Sequence, residues 1–164
     1  MFFSIVTTPI GPLTLVGDAE HLSAIGFPAG RGAVHIDPSW RQSDAAFASA
    51  AAQLGEYFAG SRRVFDLPLA PRGTDFQLRV WKTLQTIPWG ATWSYRQLAL
   101  AVGNERAVRA VGLANGANPL PIVIPCHRVI GSDGSLTGFG GGLPTKAWLL
   151  EHEGVRLGSP RLFA

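Results

Sequence analysis

With 164 residues, 46% of them hydrophobic and 15% charged, the chain can build the core of one ordinary domain or two small ones, which excludes disorder. A single cysteine excludes an intramolecular disulfide and any zinc site built from several cysteines, and it suits a reducing compartment. The net charge of +3 is unevenly spread: residues 1–71 carry −2 and residues 72–164 carry +5. A polyanionic partner for the second half would explain that split, and so would a solvated basic face.

In chain order, Met1 to Gly17 is apolar but lacks Lys and Arg, and Pro9, Gly11 and Pro12 interrupt it. It therefore does not read as a secretory signal, and no window approaches the roughly 20 apolar residues of a membrane span. A soluble, cytoplasmic protein is expected. Phe2–Val6 and Leu13–Val16 read as strands around a Pro9–Pro12 turn, and Leu22–Phe27 as a third. Asp44 to Ala59 reads as a helix, with Phe47, Leu54 and Phe58 at near-helical spacing and Gly60 as its stop. Val64–Leu67 reads as a last short strand. Pro68, Pro71 and Gly73 mark a linker, so residues 1–70 and 71–164 are expected to form two domains.

Thr74 or Asp75 can cap the next helix, whose apolar stripe is Phe76, Val80, Trp81 and Leu84. Residues 92–118 then read as a helix-turn-helix. Its helices run from about Ser94 to Val102 and from about Glu105 to Asn115, around Gly103-Asn104. In the second helix, Val108 and Val111 are expected to face the core. Arg106, Ala107, Ala110 and Ala114 are expected on another side, with Arg109 at its edge. Such a small-residue face flanked by arginines can approach DNA closely, and it can equally pack on a neighbouring helix.

The segment Ile124-Pro125-Cys126-His127-Arg128-Val129 carries the chemistry. Thiolate is a strong nucleophile, and an imidazole can take the thiol proton. Neighbouring side chains on a regular strand point to opposite faces, so the pair needs local irregularity or a bridging water; Pro125 makes irregularity plausible. The glycine-rich run Gly131 to Gly142 suits a pocket wall that presents backbone N–H groups, although a plain flexible connection has the same composition. The last helix is read from Pro144 to Glu153, with Gly154 as its stop. Glu151 and Glu153 oppose the helix dipole in its last turn. Glu151 reads as a surface charge. A histidine hydrogen-bonded to Glu153 would relieve the conflict and fix the imidazole tautomer.

Several of these motifs, in order, resemble the O6-alkylguanine-DNA alkyltransferases, also called methylated-DNA–protein-cysteine methyltransferases. The resemblance is close from Thr74 to Gly154. It runs through Ser94-Tyr95, Arg109-Ala110-Val111-Gly112, Asn118-Pro119, Pro125 to Val129, the glycine-rich loop and the Lys146 to Glu153 helix. It implies an α/β (α+β) fold: a small N-terminal ribonuclease H-like sheet-and-helix domain, then a mainly helical, winged-helix-like domain with the helix-turn-helix. The implied function is direct repair of double-stranded DNA containing alkylated bases. The alkyl group of O6-alkylguanine, and of O4-alkylthymine, would pass irreversibly to Cys126 after the base is flipped.

The resemblance also assigns roles. His127 would be the base, acting through a water, with Glu153 polarising it. Asn118 would be a structural hinge. Tyr95 would contact the flipped base and protonate the leaving guanine. Arg109 would fill the stack, with Arg106, Ala107, Ala110 and Gly112 at the DNA surface in the minor groove. The carbonyls of Cys126 and Val129 would accept from the exocyclic amine, and the Gly140 N–H would point at O6. Phe139 stands where many relatives have tyrosine. The implied chemistry needs no metal or organic cofactor, and His21 and His35 do not make a convincing zinc site. The implied state is a monomer, alone or cooperative on DNA. The alternative within this resemblance is a non-catalytic sensor of alkylated DNA. A transcription regulator would leave Cys126, His127 and Glu153 without purpose, and cysteine hydrolases usually draw cysteine and histidine from distant parts of the chain.

Overall fold

The computed structural model describes residues 1–157. Alternating apolar residues make β1 (Phe2–Val6), β2 (Leu13–Gly17) and β3 (Leu22–Gly26) an antiparallel meander in which Leu15 stands opposite both Ser4 and Ile25. The expected hairpin and third strand are therefore present. A two-residue strand absent from the sequence reading, β4 (Arg41–Gln42), joins β1 in parallel and gives the order β3-β2-β1-β4. α1 (Ala48–Phe58) follows a short 3-10 turn and contributes Leu54 and Tyr57 to the same core as Leu13, Leu15 and Ile25.

Val64 to Leu67 is not a strand. The Gln53 side chain of α1 donates to the Asp66 carbonyl and accepts from the Asp66 N–H, both at 2.9 Å. A side chain thus satisfies the backbone groups that a neighbouring strand would otherwise satisfy. Sheet contact comes later, where Leu22 N–H donates to the Pro68 carbonyl and Ala70 N–H to the Leu22 carbonyl, both at 2.9 Å.

α2 (Asp75–Leu84) starts at a reciprocal capping box between Thr74 and Gln77. It buries Val80, Trp81 and Leu84, and the Trp81 indole donates to the Ala114 carbonyl at 2.8 Å. α3 (Tyr95–Val102) has its own box, Ser94 with Gln97, and ends at Gly103, whose φ of 101° suits glycine. α4 (Val108–Gly116) completes the helix pair. It begins later than Glu105, because Asn104 Oδ1 accepts the Arg106 N–H at 3.1 Å and holds that stretch as a turn.

The faces of α4 also differ from the expectation. Val108 is 38% exposed, whereas Ala114 is buried beneath Trp81. Val111, Ala114 and Asn115 form the inner side. β5 (Trp93–Ser94) pairs in parallel with β6 (Val129–Ile130), which ties the start of α3 to the residues that follow Cys126. α5 (Leu143–His152) carries proline in its first turn, and Gly154 follows at φ 84°. One apolar cluster runs from Leu13 and Leu54 through Leu98 and Val111 to Leu149. No helix among the described residues is long and apolar enough to cross a membrane.

Candidate active site

Cys126 to Arg128 form a 3-10 turn immediately before β6. The turn removes the strand-like alternation that would send Cys126 and His127 to opposite faces. Asn118 braces the approach: its Oδ1 accepts from Leu120 N–H at 3.0 Å and its Nδ2 donates to the Ile124 carbonyl at 2.8 Å. Within that loop Ile122 has a φ of 75°, a conformation that costs about 1–3 kcal/mol for a residue other than glycine.

Glu153 sits at the C-terminal cap of α5 and is fully buried around its carboxylate. Four donors converge on it. His127 Nε2 lies 2.8 Å from Oε2, Arg128 Nε 2.7 Å from Oε1, Arg128 Nη2 3.0 Å from Oε2, and the Tyr57 hydroxyl 2.6 Å from Oε2. Arg128 Nη1 also donates to the Ile87 carbonyl at 2.6 Å. Burial pushes the Glu153 carboxyl up, but the His127 and Arg128 interactions overcome it and hold it at about 2.

A carboxylate only accepts, so Nε2 of His127 carries the proton and Nδ1 is left as an acceptor. Nδ1 is buried without a partner among the described residues, as is Asn115 Oδ1. Burial depresses the His127 pKa against the pull of Glu153, which keeps the ring neutral. Burial likewise pushes the Cys126 thiol up, while the Asn118 amide and the Lys146 charge favour thiolate. The site therefore holds a protonated thiol beside a neutral imidazole with a free basic nitrogen.

Lys146 is fully buried, and its Nζ donates to the carbonyls of Val129 (2.7 Å) and Thr137 (2.9 Å). Burial lowers its pKa to about 8, opposed by attraction to Cys126. The Thr137 carbonyl also accepts from the Tyr95 hydroxyl at 3.4 Å, and the Thr137 hydroxyl donates to the Tyr95 oxygen at 3.1 Å. Lys146 and Thr137 thus join β6, the glycine-rich loop and the start of α3.

Cys126 lines a cavity of about 260 Å³ together with Asn118, Phe139 and Gly140. Tyr95 and Val129, expected in the same pocket, are not part of its lining. The N-terminal half supplies one wall: the Phe27 ring meets Phe139 edge-on at 5.3 Å, and Gly32 N–H donates to the Gly140 carbonyl at 3.0 Å. On α4, Arg109 and Ala110 are exposed, as is Arg106 just before it. Ala107 is half-buried as the N-cap, and Gly112 faces the Tyr95 ring. Leu113 is 72% exposed beside Arg109 and Ala110.

Tyr57, Arg128, Lys146 and Leu113 are not among the site residues expected from sequence. Lys146 had a readable signal: it shares a helical face with Leu149, Leu150 and Glu153, so charged residues flank an apolar stripe. Tyr57, 96 residues from Glu153, had none.

A sheet-and-helix half packed on a helical half, with a thiol, an imidazole and a carboxylate buried at the join, defines an α/β protein equipped for nucleophilic thiol chemistry. Residues 1–71 match the ribonuclease-like domain of 6-O-methylguanine DNA methyltransferase, and residues 75–155 match its DNA binding domain. The chain belongs to that family. The methylated-DNA–protein-cysteine methyltransferase of Methanosarcina barkeri is 49% identical over 93% of this chain and 97% of the relative. That of Mycobacterium tuberculosis is 49% identical over 92% of this chain and 91% of the relative. The crystal structure of Mycobacterium tuberculosis OGT in complex with DNA superposes with a TM-score of 0.87 at 48% identity, covering 93% of this chain and 92% of that one.

Proposed function

We propose that the protein repairs alkylated DNA by moving an alkyl group from guanine O6, and from thymine O4, onto Cys126, one group per molecule. The observation that carries this reading is the free Nδ1 of a neutral, Glu153-anchored His127 beside the only cysteine of the chain. Nδ1 takes the thiol proton, directly or through a water, and Glu153 stabilises the imidazolium that forms. The sulfur attacks the alkyl carbon in line as the carbon–O6 bond breaks. The departing guanine gains a proton, and the Tyr95 hydroxyl, bonded to the Thr137 carbonyl of the glycine-rich loop, is the donor assigned to that step. The carbonyls of Cys126 and Val129 and the N–H of Gly140 are the groups assigned to hold the base. The product is a thioether, which hydrolysis does not reverse.

The reacting oxygen lies inside the duplex, so the nucleotide must leave the stack, at a few kcal/mol. The outward surface of the helix pair supports this step. Arg106 and Arg109 supply charge, and Ala110 and Leu113 give a small apolar wedge suited to a narrow groove. Arg109→Ala is expected to slow repair of O6-methylguanine in duplex DNA more than reaction with the free base. Equal slowing of both, measured side by side, would remove Arg109 from the stack-filling role.

Phe139 keeps the aromatic wall against Phe27. Phe139→Tyr is expected to change the transfer rate only modestly, and a large loss in single-turnover kinetics would show that the loop works differently.

Cys126 is only 6% exposed, a feature that a non-catalytic damage sensor would share. Intact-protein mass after incubation with a duplex carrying one O6-methylguanine separates the two. A methyl-sized gain that maps to Cys126 and saturates at one per protein supports transfer. Tight binding with no gain supports a sensor.

A further inference from the structure

The cavity beside Cys126 measures about 260 Å³. It runs from the thiol past Phe139 and Gly140 to the turn Gly30–Ala33 of the N-terminal half. That turn is fixed by three backbone hydrogen bonds: Ala33 N–H to Gly30 (3.1 Å), Phe27 N–H to Gly32 (2.8 Å) and Gly32 N–H to Gly140 (3.0 Å). The approach is so close that a Cβ on Gly32 would lie 2.9 Å from the Gly140 backbone. Arg31, between the two glycines, is held at the rim.

Among the described residues, Arg31 is the one charged side chain in the cavity lining. It is exposed, and no carboxylate or hydrogen-bond acceptor of the described residues engages it. An unengaged guanidinium, carried on a turn whose backbone is fixed and lining the cavity that contains the nucleophile, suits an anionic ligand group. We propose that Arg31 discriminates among the groups transferred to Cys126, favouring those that end in a carboxylate. The proposal rests on the alkyl-transfer reading above.

The chemistry balances without a further reagent. The sulfur–carbon bond forms as the carbon–O6 bond breaks, and the electron pair leaves with O6. One proton leaves the thiol and one joins the guanine, while the carboxylate keeps its charge beside Arg31. The product is an S-carboxyalkyl cysteine.

The test uses the full chain and five duplexes of one sequence. They carry O6-methyl, O6-carboxymethyl or O6-(3-carboxypropyl) guanine, or the uncharged amide of either acid. Single-turnover rates are measured for wild type, Arg31→Ala, Arg31→Lys and Arg31→Glu. The ratio of acid to amide rates is expected to fall roughly fivefold to tenfold in Arg31→Ala for at least one chain length, the size of one charge-assisted contact at an exposed rim. It should fall further in Arg31→Glu and recover in part in Arg31→Lys, with methyl transfer unchanged throughout. An unchanged ratio at both lengths overturns the proposal while methyl transfer leaves the repair reading intact. Equal slowing on all five duplexes also overturns it, and assigns Arg31 to the DNA backbone. Absence of methyl transfer by the wild-type protein overturns the repair reading itself.

Discussion

Cys126→Ser is expected to bind a duplex containing O6-methylguanine as tightly as the wild type and to acquire no methyl group while the wild type saturates. Serine keeps nearly the volume of cysteine, so the 3-10 turn and the cavity wall persist. What it loses is the nucleophile. A hydroxyl is far less acidic than a thiol, and the neutral His127 that faces it is too weak a base to generate alkoxide. Binding by gel shift and transfer by intact mass are read on the same sample. Stoichiometric gain in the variant would mean another acceptor, and the chain contains no other thiol. Loss of binding as well as transfer would mean that Cys126 shapes the DNA surface, which its place beneath the cavity does not suggest.

Glu153→Gln should produce the largest stability loss of any single substitution near the site. Glutamine matches glutamate in shape but replaces one acceptor oxygen with a donor, facing Tyr57, His127 and Arg128. The Arg128 guanidinium, also buried, would then lack its counter-charge. Breaking a buried pair in this way costs about 3–5 kcal/mol. The pH dependence offers an independent check. The folded carboxyl is held at about 2, below its ordinary 4.5, so its contribution is complete above pH 4.5 and is lost as pH falls toward 2. Urea unfolding from pH 7 down to pH 2 should show a steeper acid-side decline in the wild type than in Glu153→Gln, in which Asp18 and Asp37, also held below the usual carboxylate range, still contribute. Equal stability of the two proteins at pH 7 would show that Arg128 and His127 find other partners. The variant should also transfer more slowly, because no negative charge then stabilises the imidazolium that His127 forms.

These two residues show how differently the parts of the site are encoded. Cys126 and His127 are adjacent, and a thiol beside an imidazole is a chemical statement in the sequence. Glu153 was legible because a carboxylate in the last turn of a helix opposes the dipole, and such a conflict asks for a reason. Arg128 stands next to His127, yet nothing in the sequence distinguishes it from a surface arginine. Its burial follows from the carboxylate and the Ile87 carbonyl that receive it. On α4, Val111 faces the core and Arg109 and Ala110 face outward as expected, as does Arg106 just before it, but two positions are reversed for a related reason. Helical spacing alone set Val108 inward and Ala114 outward, and the position of Trp81 on α2 decided the reverse.

The sequence by itself determined the meander of β1 to β3, the helices apart from the start and inner face of α4, the helix-turn-helix and the chemical identity of the nucleophile and its base. Periodicity, capping boxes, turn glycines and adjacent reactive groups all act within a few residues of chain. Only the tertiary structure decided that Tyr57 reaches Glu153, that Lys146 and Thr137 tie three elements together, and that the Gly30–Ala33 turn closes one side of the cavity. Those contacts join groups far apart in sequence, or match buried donors to acceptors. Close packing and the penalty on unpaired polar groups select them, and neither acts until the chain has folded.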